Sequence, residues 1–525
     1  VTSDAFHVYD TTMRDGAQQE GLNLSVQDKL HVARHLDDLG VGFIEGGWPG
    51  SNPKDTEFFA LAAKELELRT ATLAAFGATR RAGLRAADDP LVAALRESGA
   101  PVVTLVAKSH DRHVELALRT TLEENLAMVR DTVEHLRAEG QRVFVDCEHF
   151  FDGYVANRAY ALEVVRTAAE AGADVVVLCD TNGGMLPHQV EEVVADTLSV
   201  GARLGIHAHN DTGCAVANSM AAVRAGATHL QGCLNGYGER TGNADLVTSV
   251  ANLELKLGMQ VLPEGALAEA TRIAHAVSEI TNYPPSARQP YTGVSSFAHK
   301  AGLHASAIRV DPDLYQHIDP ALVGNDMRLL VSEMAGRATI ELKGRELGYD
   351  VGDDAERLGR ITERVKAMEQ QGYTFEAADA SFELLLAEEM EGARPSYFDV
   401  ESWRVLAESS RGTEATVKLR AAGQRLAVIG EGNGPVNALD HALRQAIEQL
   451  YPDVARFHLI DFRVRILDQG HGTDAVTRVL IETSDGKDAW VTVGVGPNMI
   501  EASWEALVDA LTYGLRRHGV PVGTA

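Results

Sequence analysis

The sequence predicts an α/β fold: a closed (β/α)8 TIM barrel, then a small helical linker subdomain and a C-terminal α+β domain. Three observations carry this expectation. Residues 6 to about 250 alternate short β-branched runs with longer amphipathic runs. Reactive side chains collect just after those short runs, where a barrel would gather them on one face. Near the C-terminus, Gly430, Gly432, Ala438, Ala442 and Leu443 recur 64 residues later as Gly494, Gly496, Ala502, Ala506 and Leu507.

The predicted strands are His7–Thr11, Val41–Gly46, Thr70–Phe76, Val102–Ala107, Arg142–Cys147, Asp174–Cys179, Leu204–His209 and His229–Leu234. About eight β-α units in about 250 residues fit a closed barrel, with a doubly wound open sheet as the alternative. The first helix carries its own punctuation: Ser25 as N-cap, Asp28 three residues on, apolar Leu30, Ala33, Leu36 and Leu39, then Gly40 as terminator. Tyr283–Pro290 contains three prolines and reads as a linker, followed by a charged helical segment over residues 353–391 and a boundary near Arg394–Phe398. The repeat predicts two β-turn-β-α halves, in which the Gly-x-Gly pairs are tight turns and not a nucleotide fingerprint. The expected division is residues 1–285 for the barrel, 286–397 for the linker and helical subdomains, and 398–525 for the C-terminal domain.

A chain of 525 residues is long enough for several independently cored domains. Its formal charge of -27 argues against nucleic acid or an anionic membrane as partner, so an anionic ligand must be held by local cations. Cys147, Cys179, Cys214 and Cys233 are far apart and form no C-x-x-C pair, which suggests neither a disulfide framework nor a thiolate zinc site and points to a reducing cytoplasm. No apolar run is long enough for a bilayer, and no signal peptide is expected.

Arg14 and Asp15 follow the first predicted strand, Glu45 ends the second, and Lys108 and Glu148 end the fourth and fifth. Thr181 follows the sixth, His207 and His209 end the seventh, and Asn243 follows the eighth. Two histidines two apart on a strand project to the same face, which is metal-ligand geometry. Asp15 supplies the natural carboxylate and Asn243 a further oxygen, and such N/O ligands leave zinc, manganese, magnesium and cobalt open. Arg14 is placed to clamp a carboxylate in a fork or to pair with Glu45, and both readings are compatible. Thr181 is either a substrate contact or a helix N-cap. Glu148 lies in the run Asp146-Cys147-Glu148-His149-Phe150-Phe151-Asp152, where it is either a desolvated carboxylate that handles protons or a helix-capping or salt-bridged residue.

The order Asp10-Thr-Thr-Met-Arg14-Asp15-Gly16-Ala-Gln18, Glu45, His207-Ala-His209-Asn210-Asp211 and Asn235-Gly-Tyr-Gly-Glu239-Arg-Thr-Gly-Asn243 resembles the isopropylmalate, homocitrate and citramalate synthases. The resemblance continues through Phe297-Ala-His299-Lys-Ala-Gly-Leu-His304, Tyr315-Gln-His-Ile-Asp319-Pro320 and Gly432-Asn-Gly-Pro-Val-Asn437-Ala-Leu-Asp440. The segments Phe43–Asp55 and Glu148–Tyr154 resemble the citramalate-forming branch.

This resemblance implies a metal-dependent acyltransferase that condenses acetyl-CoA with a 2-oxo acid, pyruvate first, and then hydrolyses the thioester. It implies Arg14, Glu45 and Thr181 as substrate-binding residues and Arg14, Glu148, His304 and Tyr315 as catalytic ones, with His304 the base assisted by Glu148. It also implies a homodimer whose C-terminal regulatory domain binds isoleucine. The alternatives are an isopropylmalate or homocitrate synthase, a retro-aldol lyase resembling hydroxymethylglutaryl-CoA lyase, and an amino-acid sensor with an inactive barrel. The long C-terminal region disfavours the lyase, and the intact Asp15, His207 and His209 disfavour the sensor.

Overall fold

Ser25 and Asp28 form a reciprocal capping box, and Gly40 ends the helix Val26–Leu39 in the left-handed conformation, as their spacing predicts. The computed structural model describes residues 4–332, 336–351, 354–409, 412–467 and 475–521; the predicted helical start at residue 353 lies outside them. Eight parallel strands follow in chain order: β1 (His7–Asp10), β2 (Phe43–Gly47), β3 (Thr72–Ala78), β4 (Val102–Lys108), β5 (Arg142–Glu148), β6 (Val175–Asp180), β7 (Leu204–Ala208) and β8 (His229–Gly232). β1 pairs in parallel with both β2 and β8, so the barrel is closed and the open-sheet alternative falls. Each strand lies within two residues of its sequence-predicted bounds, because runs buried on both faces are nearly continuously apolar. Among the described residues no helix is long and apolar enough to cross a membrane.

The barrel is a filled core. Tyr9, Phe43, Val102, Phe144, Val175 and Val177 pack together inside it, while a larger apolar cluster lies between the strands and the surrounding helices. Against Phe43 and Phe144 lie two buried histidines, His7 and His229. His7 Nε2 meets Asp4 Oδ1 at 3.0 Å and His7 Nδ1 meets His229 Nδ1 at 3.2 Å. Donor counting makes both rings neutral: His7 donates to Asp4 and accepts from His229, whose Nε2 is buried without a partner. Burial lowers His7 from 6.5 to about 4, with Asp4 opposing and Arg203 adding to it, and burial depresses His229 as well.

Because the folded-state value lies below the unfolded one, the unfolded chain binds more protons as the solution is acidified. Stability from His7 is therefore present above about pH 6.5 and lost as pH falls to about 4, a contribution of about 3 kcal/mol. Urea denaturation of the holoenzyme across this window is expected to show that slope, and a His7→Gln, His229→Phe double variant to flatten it. An unchanged slope would remove the pair from the acid response.

The chain divides into two compact units, one from the described residues of Val1–Phe297 and Ile318–Asp326, the other from those of Ala298–His317 and Met327–Ala525. In the second unit, Ala355–Gln370 and Asp379–Glu391 are helical. The C-terminal repeat is real, but each half has three antiparallel strands where the sequence predicts two: Asp399–Glu408, Gly412–Ala421 and Gln424–Gly432, then His458–Ile466, Thr477–Ser484 and Ala489–Gly496. The missed first strand of each half is largely exposed, and a bulge puts its half-buried positions out of step, so it lacks the strict burial alternation of Gly412–Ala421. A helix follows each half, Pro435–Ile447 and Met499–Arg517.

The Gly-x-Gly pairs end strands and are not turns. A Cβ on Gly430 would lie 2.4 Å from Ala442 N, and one on Gly494 would lie 1.9 Å from Ala502 O. Glycine on the strand and alanine on the helix let the two backbones approach, which is why these residue types repeat together.

Candidate metal centre and active-site cavity

The loop after β1 is shaped by Asp10. Its carboxylate accepts from Thr12 N at 2.9 Å and Thr12 Oγ1 at 2.7 Å, and Thr12 Oγ1 in turn accepts from Leu234 N at 2.8 Å. This ties the loop to the chain after β8 and delivers Arg14 and Asp15 to the mouth of the barrel. There Asp15 Oδ2 lies 3.1 Å from His207 Nε2 and 3.9 Å from His209 Nε2. The two ring nitrogens are 3.3 Å apart, and all three ligand atoms lie within 4.8 Å of one another in buried residues. Three of the four sequence-predicted ligands thus meet.

A second layer orients them. His207 Nδ1 lies 2.8 Å from Gln231 Oε1, and Gln231 Nε2 donates to Asp146 Oδ1 at 3.0 Å. With its Nε2 donating to Asp146, Gln231 turns its amide oxygen toward His207, which then carries a proton on Nδ1 and leaves Nε2 to face Asp15. A lone pair, a second imidazole nitrogen and a carboxylate oxygen converging in a buried site call for a cation between them. Burial opposes charge on Asp15, but the adjacent Arg14 guanidinium holds the carboxyl below its usual range. Asn243, bridged to His209 through the backbone, donates from Nδ2 to Tyr237 O at 2.9 Å and keeps a buried, unpartnered Oδ1. The donor set fits a divalent ion that takes mixed nitrogen and oxygen ligands.

A cavity of about 260 Å³ opens on this cluster. Arg14 lies along it, its Nε 2.5 Å from Glu45 Oε2 and its guanidinium 3.7 Å above the Phe76 ring. Glu45 is fully buried and does not line the cavity; Tyr9 OH donates to its other oxygen at 2.8 Å. Its sequence-predicted substrate contact is corrected accordingly: both oxygens are committed, and Glu45 holds Arg14. Thr181 lines the cavity and is no helix cap, since the next helix starts at Pro187; its hydroxyl oxygen accepts from His149 N at 2.8 Å.

Glu148 lines the cavity half-buried and ion-paired to Lys108. The desolvated carboxylate expected in that run is Asp146, two residues earlier on the same face, which burial and the nearby Glu45 push up to about 7. Arg240 is committed to Asp211 through two 2.9 Å hydrogen bonds. His304 and Tyr315 belong to the second unit, where their rings stack at 4.1 Å and His299 meets both edge-on. Sequence reasoning missed Trp48, Phe76, Asp146 and Gln231. The signal for Gln231 was available, since it sits two residues after the inward-facing His229.

Residues 5–277 match the HMGL-like family, residues 291–373 the homocitrate synthase post-HMGL domain-like family, and residues 376–515 the LeuA allosteric (dimerisation) domain. The chain is 68% identical over 522 residues to an (R)-citramalate synthase of Streptomyces coelicolor, covering 98% of both chains. The chain belongs to the HMGL-like family, in its (R)-citramalate synthase branch. A second (R)-citramalate synthase, from Aquifex aeolicus, is 47% identical over 522 residues and is covered equally, 98% of each chain. A third, from Sulfolobus acidocaldarius, is 43% identical over 511 residues, 97% of this chain and 96% of that one. The match to this branch runs through both compact units, so the barrel, the His304 and Tyr315 segment and the C-terminal repeat are inherited together.

Proposed function

We propose that the barrel condenses acetyl-CoA with pyruvate and water to give (R)-citramalate and CoA. The observation that carries this reading is the buried convergence of Asp15, His207 and His209 beside Arg14 in one cavity. A divalent cation (zinc, manganese, magnesium or cobalt) held by these three residues, with Asn243 as a further oxygen, supplies Lewis-acid polarisation of the acceptor's keto group. Arg14 presents a fixed positive charge to the oxygen that becomes an alkoxide, and Glu45 keeps the guanidinium in place. Thr181 offers a hydroxyl proton to the acceptor's carboxylate. A proton leaves the acetyl methyl group, the resulting carbon attacks the ketone, and water cleaves the thioester. Assignment of that proton to His304 with Glu148, and of further proton handling to Tyr315, rests on the family resemblance.

Pyruvate as acceptor is supported by the branch and by charge. Of the two arginines that line the cavity, Arg14 serves the acceptor and Arg240 is held by Asp211 through two hydrogen bonds, which disfavours a second clamp for a dicarboxylic acceptor. Steady-state release of CoA thiol is expected to rank kcat/KM as pyruvate, then 2-oxobutanoate, then 2-oxoisovalerate, the last down by about tenfold or more. A preference for 2-oxoisovalerate or 2-oxoglutarate would make this an isopropylmalate or a homocitrate synthase.

For the C-terminal domain we propose isoleucine as effector and a homodimer as the working form. A cavity of about 670 Å³ in that unit combines apolar Val436, Leu459 and Phe462 with Asp440, His441 and Arg444, a lining suited to a branched amino acid. Isoleucine is expected to lower velocity and to raise Tm at the same concentrations, with leucine weaker in both. If neither quantity responds, isoleucine is not the effector.

A further inference from the structure

The loop after β2 is built around a buried carboxylate. Asp55 Oδ2 accepts from Trp48 N at 2.8 Å, and Asp55 Oδ1 pairs with Lys29, whose ammonium also donates to Gly46 O at 3.0 Å. Gly47 has φ +140°, and a Cβ there would lie 2.3 Å from Asp55 Cγ, so the backbone can wrap the carboxylate only as glycine. A charge pair removed from water, with its remaining lone pairs satisfied by the loop, leaves the loop little freedom. The Trp48 ring is thereby set edge-on against Phe76, centroids 5.4 Å apart, and Phe76 carries the Arg14 guanidinium on its face.

Trp48 stands between two cavities. One is the metal-side cavity of about 260 Å³. The other, of about 310 Å³, lies behind the loop, and its wall sets Met13, Leu22 and Leu24 beside polar Asn23, Ser51, Asn52 and Lys54. Three side chains face both: Arg14, Gln18 and Trp48. Arg14 is committed to Glu45, and Gln18 is an exposed polar chain, so the bulky indole, its Nε1–H buried without a partner, is the body that divides the space.

We propose that Trp48 is a specificity-determining residue for the acceptor: its ring is the partition that limits the alkyl group to a small one by closing off the cavity behind it. This rests on the reading that the metal-side cavity takes a 2-oxo acid. With the ring in place, a branched alkyl group must displace a side chain packed on Phe76, on a loop whose backbone Asp55 holds; with the ring removed, the two cavities join and the branch gains room beside Met13, Leu22 and Leu24.

The test compares Trp48→Phe and Trp48→Ala holoenzymes with the parent chain, measuring kcat/KM for pyruvate, 2-oxobutanoate and 2-oxoisovalerate at saturating acetyl-CoA. The expected result is a fall of about tenfold or more in the pyruvate to 2-oxoisovalerate ratio for Trp48→Ala, with Trp48→Phe between it and the parent, at unchanged metal content. Trp48→Phe keeps an aromatic ring against Phe76 and carries the test by its own shift in ratio if the alanine variant does not fold. A ratio unchanged within twofold in a folded, metal-loaded variant overturns the proposal. The two readings fail separately: a parent enzyme that prefers another acceptor overturns pyruvate, whereas the shift in preference between small and branched acceptors on substitution judges Trp48.

Discussion

Replacing His207 by alanine is expected to cut turnover by more than about a thousandfold while the barrel stays folded. Three ligand atoms converge at this site, and removing one leaves Asp15 and His209 without the geometry to hold a divalent ion. Barrel packing does not depend on the ion, since the strands are held by the apolar layers inside and outside them. Bound metal should therefore fall with activity, and the far-ultraviolet circular dichroism should not. Gln231→Leu gives the intermediate case: it removes the acceptor of His207 Nδ1 and frees the tautomer, which should weaken metal binding by about 10 to 100-fold in competition with a chelator. A His207→Ala enzyme that turned over at the parent rate after chelator treatment would sink the metal assignment.

How far the sequence could be read follows from which physical signal each residue carries. His207 and His209 were legible because a strand repeats every two residues, so their spacing alone puts both rings on one face. The barrel strands were legible because burial on both sides leaves near-continuous apolar runs with sharp ends. Trp48 was not, because its place depends on a Gly47 conformation and on Asp55, seven residues on, accepting its backbone N–H. The pairing of Glu45 with Arg14 was legible because Arg14 follows one strand and Glu45 ends the next at the active face; the contact of its other oxygen with Tyr9, which leaves none for substrate, was not. Asp146 and Glu148 share a face, and the sequence has no signal for which is desolvated, since that depends on Lys108 reaching across from the neighbouring strand. The first strand of each C-terminal half escaped because its inner face is only half-buried and a bulge breaks its alternation.

Arg14→Lys is expected to lower kcat by about 100 to 1,000-fold despite keeping the charge. The guanidinium performs three tasks through one planar group: Nε donates to Glu45 at 2.5 Å, the face stacks 3.7 Å over Phe76, and a terminal nitrogen lies 3.5 Å from Asp15 Oδ2. An ammonium on a flexible stem has no plane to stack and no fixed fork, so it cannot keep the pairing with Glu45 and present a donor to the forming alkoxide at once. Two further measurements separate the catalytic part from the structural one. Because Glu45 is fully buried, weakening its partner leaves a desolvated charge under-paired, and Tm should fall in Arg14→Lys. In the Arg14→Lys, Glu45→Gln double variant that buried charge is gone, so Tm should recover in part, with the amide still able to accept from Tyr9. Turnover in the double variant should stay low, since the alkoxide still lacks its guanidinium. Recovery of kcat together with Tm would mean that Arg14 acts only by holding the barrel mouth, and stabilisation of the oxyanion would then have to come from elsewhere in the cavity.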